Sequence, residues 1–130
     1  MPAISAYLGK QILDWTLINA GTIPANRWAG LAVGTPTSTG GSEMNTLTGY
    51  SRLTCLFAAA NSPAGTASNS APMTFGPFSS VGSVLGIHLW DGSPVASSNM
   101  LYYGTLQTAR TIGIGDSLVV ASGALTITIS

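Results

Sequence analysis

The chain has 130 residues, enough for one domain with a real core, and 45% of them are hydrophobic, too many for a solvated disordered coil. Only 6% are charged, against about 25% in ordinary soluble domains, and the four acids and four bases cancel. This balance argues against a nucleic-acid partner, which needs Lys and Arg clusters, and against an anionic membrane surface.

At the N-terminus, "PAISAYLGKQILDWTLINAG" reads as the one good helix. Pro2 suits a first helical turn, and Ile4, Leu8, Ile12 and Trp15 recur at helical spacing with Tyr7 and Gln11 beside them. Asn19 and Gly21 supply the stop, and Lys10 can pair with Asp14. The helix either covers one end of a sheet or serves as an arm that docks on a partner, and in both cases Leu8 and Trp15 are expected to be buried. No secretory signal is evident in this segment, and no apolar run reaches the length of a membrane span.

After Pro24 the period shortens to two. "NRWAGLAVG" alternates as a strand. Residues 35–52, "TPTSTGGSEMNTLTGYSR", form a long Gly-, Ser- and Thr-rich connection. It lacks the Lys-Ser or Lys-Thr of a phosphate-binding loop, and Gly40, Gly41 and Gly49 do not have dinucleotide-fingerprint spacing. "YSRLTCLFAAA" is the next strand, with Leu53, Cys55 and Phe57 on one face. Cys55 has no second cysteine and reads as a buried small apolar side chain.

Residues 62–72, "SPAGTASNSAP", read as turns. "MTFGPF" suits a short edge strand, because Pro77 would interrupt a central one. "SVLGIHLWD" is a strong strand, "DGSPVASSN" has hairpin chemistry, and "NMLYYGTL" follows. "RTIGIGD" leads into "SLVVASGALTITIS", whose end alternates apolar residues with Thr. Six to eight short strands at this spacing, after one helix, predict a mainly β protein. The expected architecture is an antiparallel β-sandwich or jelly roll spanning 22–130, with the helix over 1–21 packed on it or on a neighbour.

Chemistry-bearing residues are few. One His and one Cys cannot close a zinc site, and His88 reads as a partly buried, hydrogen-bonded histidine. No Gly-x-Ser-x-Gly elbow is present, and the four carboxylates do not suggest a catalytic pair. The expectation is a protein with no catalytic residues, cofactor or metal. Trp15, Trp28 and Trp90 each sit in an apolar periodic segment and read as core. Tyr102 and Tyr103 are adjacent, so a regular strand turns one of them outward as an interface anchor. Glu43 and Arg52 are rare charges flanking one loop, and each is expected to have a partner: Arg52 a carboxylate or backbone carbonyls of the loop or of a neighbouring subunit. The candidate interface residues are Tyr7, Trp15, Glu43, Arg52, Tyr102 and Tyr103.

In order along nearly the whole chain, "WAGLAVGTPTSTGGSE", "GYSRLTCLFAAA", "SNSAPMTFGPF", "LGIHLWD", "MLYYGTL" and "GDSLVVASGALTITIS" resemble the small virion proteins of tailed bacteriophages and prophages, of the tail-fibre-like or structural kind. The turn after Glu43 is longer here than is usual in that family. The resemblance implies a β-sandwich virion component without catalysis. Two placements follow from it. One is a decoration or cement protein bound to the major capsid protein, or to copies of itself, on the capsid surface. The other is a tail or tail-fibre component, which as a receptor- or carbohydrate-binding module would need loop aromatics beside polar groups. Small size and low charge favour decoration.

Overall fold

The computed structural model describes residues 3–20, 26–39, 42–44, 49–61, 65–92 and 98–128. In chain order the described elements are β1 (Ala3–Ile4), α1 (Ala6–Ile18), β2 (Trp28–Ala32), β3 (Leu53–Thr54), β4 (Thr66–Ser68), β5 (Met73–Phe75), β6 (Gly82–Trp90), β7 (Met100–Ile112), β8 (Leu118–Val120) and β9 (Thr126–Thr128). The fold is mainly β with one helix, and every paired strand is antiparallel, as expected.

Five strands form one sheet in the order β1-β7-β6-β2-β3, and β4-β9 and β5-β8 form two ribbons. Sheet and ribbons contribute to one apolar core. Ala29, Leu31, Val84, Ile87, Leu89 and Ile112 come from the sheet, and Met73, Phe75 and Ile127 from the ribbons. The layers are those of a sandwich whose second sheet is split in two. Cys55 lies in this core, where burial pushes its thiol up to about 11, so it stays protonated and packs as a small apolar group.

Three local readings change. The helix begins at Ala6 rather than at Pro2, because Ser5 caps it: its Oγ accepts from the Leu8 N–H at 3.0 Å. Ala3 and Ile4 instead extend the sheet beside Tyr103 and Tyr102. The turn-rich stretch after Asn61 contains β4, whose Thr66 and Ser68 hydroxyls meet those of Thr128 and Thr126 across the ribbon at 3.2 Å. Hydroxyl pairs directly opposite one another are a stabilising feature of sheets. Asn69, which follows β4, is only 2% exposed. Its amide nitrogen donates to the Ala71 and Ala121 carbonyls, and its oxygen accepts from the Leu125 N–H, fastening the turn between β8 and β9.

Candidate functional site

The sheet has a second face, turned away from the ribbons. Gly30, His88 and Tyr103 stand opposite one another on β2, β6 and β7, so their side-chain directions share a face. Trp90, two residues beyond His88, lies on it too, and the two rings meet edge-on at 5.6 Å. The long connection after β2 folds over this face. Its backbone first extends the sheet, since the Val33 N–H donates to Ser42 and the Met44 N–H to Leu31, which sets Glu43 opposite Ala32.

Glu43 and Arg52 meet here. Arg52 Nε donates to Glu43 Oε1 and Nη2 to Oε2, each at 2.7 Å, a two-pronged contact that holds both side chains in one plane. Nη1 donates to the Gly92 carbonyl at 2.8 Å and to Ser98 Oγ at 2.6 Å. The guanidinium carbon lies 3.8 Å from the centre of the Trp90 ring, within cation–π range. Tyr50 completes the cluster: its hydroxyl donates to Glu43 Oε1 at 2.7 Å and accepts from the Leu31 N–H at 3.1 Å. Arg52 thus joins the loop that ends at β3 to the turn between β6 and β7.

Two glycines make room for this clamp. A Cβ on Gly30 would stand 2.6 Å from the Tyr50 hydroxyl and 3.1 Å from Glu43 Oε1. Gly49 has φ of +77°, a conformation that strains any side chain, and it delivers Tyr50 to the core, stacked on Phe75.

Burial raises the Glu43 pKa, but hydrogen bonds from Arg52 and Tyr50 and the Arg52 charge outweigh it, so the net shift is downward. The Tyr50 hydroxyl is pushed well up by burial and by Glu43. His88 departs from expectation. It is fully rather than partly buried, and neither ring nitrogen has a hydrogen-bond partner among the described residues. Burial lowers its pKa, with Glu43 opposing and Arg52 reinforcing the shift, and the ring stays neutral. With both carboxylate oxygens and the guanidinium engaged, the cluster is built to hold two loops together.

The helix forms the other notable surface. Its first turns are anchored. The Ser5 N–H and hydroxyl bond the Leu101 and Met100 carbonyls, the Ala6 N–H bonds Ser38, and Leu8 is buried. Beyond Ile12 the packing ends. Leu13, Trp15, Leu17 and Ile18 are 58%, 53%, 74% and 69% exposed. Leu8 is therefore buried as expected, whereas Trp15 is not buried in the single chain. Trp28 and Trp90 are half-buried on the second face, outside the apolar core cluster. Tyr7 is half-buried at a cleft of about 260 Å³ shared with Trp90, Ser98 and Asn99. Tyr102 and Tyr103 point to opposite faces, Tyr102 against the core and Tyr103 on the second face beside His88, and both are half-buried.

The sequence-selected residues thus fall into two groups. Glu43 and Arg52 meet in the clamp, while Trp15 stands apart on the free helix end. Sequence reasoning missed Tyr50, Gly30, Ser98 and His88 as members of the clamp. The "GYSR" run, with Tyr and Arg two apart beside a lone Glu, was the available signal. It also missed Leu13, Leu17 and Ile18, which lie off the stripe of Leu8 and Ile12.

Residues 3–128 match the family model described as podophage GP4 fiber I protein gp80. The chain belongs to this family. It is a bacteriophage virion structural protein of the tail-fibre-like kind, which interacts with other virion components. A search of curated proteins found no match. No described helix is long and apolar enough to cross a membrane. Among the described residues no three His, Cys, Asp or Glu side chains gather as metal ligands would.

Proposed function

We propose that the protein is a non-catalytic structural subunit of the phage tail fibre, held in place through the apolar end of α1. The observation that carries this reading is the family match across residues 3–128, to a model named for a fibre protein. The helix supports it. A helix whose last turns carry Leu13, Trp15, Leu17 and Ile18, each more than half exposed, offers an apolar surface that another protein covers. The clamp supports it in a different way. It fixes the loops around β2 and β6 from within, so the fold presents a preformed surface and little ordering is left for assembly.

The test is location and phenotype together. Antibody labelling of purified particles should decorate tail fibres, and a knockout should yield heads of normal thermal stability with defective fibres and poor adsorption. Label spread over the head, with knockout heads that burst at lower temperature, would favour capsid decoration.

A further inference from the structure

The cleft beside the clamp gathers two aromatic rings, Tyr7 and Trp90, and four hydroxyl or amide side chains, Ser38, Thr39, Ser98 and Asn99, around about 260 Å³. They come from four separate places: the first turn of α1, the connection after β2, the end of β6 and the residues just before β7. Each wall is tied down. The Ala6 N–H donates to the Ser38 carbonyl at 3.1 Å, which joins the helix to the connection. Arg52 covers one face of the Trp90 ring and donates to Ser98 Oγ, so both are fixed by the clamp. Asp91 holds Asn99 twice, Oδ1 accepting from its backbone N–H at 2.6 Å and Oδ2 from its Nδ2 at 3.0 Å.

These ties leave polar groups over. The Tyr7 hydroxyl, the Ser38 hydroxyl and the Asn99 side-chain oxygen make no hydrogen bond among the described residues. A preformed cleft with a few polar groups beside apolar rings is the usual form of a small-molecule site. Its charge narrows the ligand. Arg52 is the cation nearest to it, but Glu43 neutralises it, its donors point inward and its side chain is only 2% exposed. Lys10, one turn on from Tyr7, is paired with Asp14. An anion such as a nucleotide, a phosphate or an acidic sugar therefore finds no counter-charge here. A purely apolar ligand would desolvate the free hydroxyls and the amide oxygen without pairing them, which is costly.

We infer that this cleft binds a neutral sugar in its ring form. Such a ring carries hydroxyls around its rim and a flat face of C–H groups. The hydroxyls suit the unpaired donors and acceptors, and the C–H face suits the electron-rich face of an aromatic ring. The cleft lies just below the roughly 300–1,000 Å³ of sites for drug-sized ligands, so it takes about one or two sugar rings and not a longer chain. The site needs only the folded chain and does not rest on the tail-fibre reading.

The experiment uses the purified full-length protein and a panel of methyl glycosides of glucose, galactose, mannose and their N-acetylamino forms, read by saturation-transfer NMR. At least one should receive saturation, with a Kd on the order of millimolar for a single ring. Tyr7→Ala should weaken that binding about tenfold by removing one ring contact and one hydroxyl. Thr39→Phe places a large side chain at an exposed position on the cleft wall and should abolish binding at an unchanged melting temperature. No saturation of any neutral glycoside overturns the inference, and so does binding that survives both substitutions. Equal binding of methyl glucuronide, which carries a carboxylate, overturns the assignment to a neutral sugar. These outcomes are separate from location: label on the head would sink the tail-fibre reading and leave the cleft standing, whereas fibre-located protein that binds no glycoside sinks only the sugar site.

Discussion

Arg52 sends four hydrogen bonds inward: two to Glu43, one to Gly92 and one to Ser98. Removing the guanidinium leaves the Glu43 carboxylate partly buried without its counter-charge. Breaking a buried pair this way costs about 3–5 kcal/mol. Arg52→Ala should therefore lower the melting temperature by about 10 °C or more in a chain of this size, and an unchanged melting curve would show that the clamp carries no weight. Acid should loosen the same region in two stages. The folded pKa of His88 lies below its unfolded value of 6.5, so the unfolded chain takes up the proton first and stability falls as pH drops below about 6.5. Glu43 has a lowered folded pKa, so its contribution is full above its unfolded value of 4.5 and is lost as pH falls through the lower folded value. His88→Leu should flatten the pH dependence of the melting temperature between these two values while leaving the lower stage. An unaltered upper stage would exclude His88 as its source. That Glu43 and Arg52 each have a partner was legible because charge is so scarce that each one stands out, but not that each is the other's partner. The state of His88 was not legible either. Its neighbours in sequence, Ile87 and Leu89, face the ribbon core, and what covers the opposite face comes from a loop more than 35 residues earlier.

At the scale of elements, the strands over 28–32 and 82–90 and the first half of the one over 100–112 were legible because period-two alternation survives where one face meets a core. β1 was not, since two residues carry no period and pair only because Ser5 turns the chain into the helix beside β7. β4 was hidden by small residues whose role is a hydroxyl ladder rather than apolar burial. The register jump between β6 and β7, from Gly86↔Thr105 to Val84↔Arg110, was invisible for a related reason. The strand reading ends at Leu106, because "QTA" carries no apolar period, and a register jump belongs to the pair of strands, not to either sequence. The helix was legible as a helix, but its burial was not, because spacing alone does not say where the supporting sheet ends. That end makes a prediction. Serines at Leu13, Trp15, Leu17 and Ile18 remove side chains that touch little in the single chain, so the melting temperature of the isolated protein should shift by no more than a degree or two. Incorporation into particles should fail, since the covered surface has been made polar. A variant that incorporates normally would show that this end is solvent-exposed in the virion as well.

For the whole molecule the governing quantity is charge. Of the four cations, Arg52 is consumed inside the fold and Lys10 is paired with Asp14 on the helix, which leaves Arg27 and Arg110 outside any ion pair among the described residues. Whatever surface this chain presents to other virion components, it can offer at most a few charge pairs, so apolar contact and backbone pairing must supply most of the association. Screening acts on exposed charges and leaves buried apolar area untouched. Raising salt from roughly 0.1 M to 1 M shortens the Debye length from about 10 Å to 3 Å, which suffices to cancel an electrostatically held contact. The protein should nevertheless stay on the particle across this range, and its retention should weaken on cooling, as hydrophobic association does. Release by salt alone, measured as protein lost from sedimented particles, would mean that Arg27 and Arg110 hold the assembly and that the exposed helix end does not.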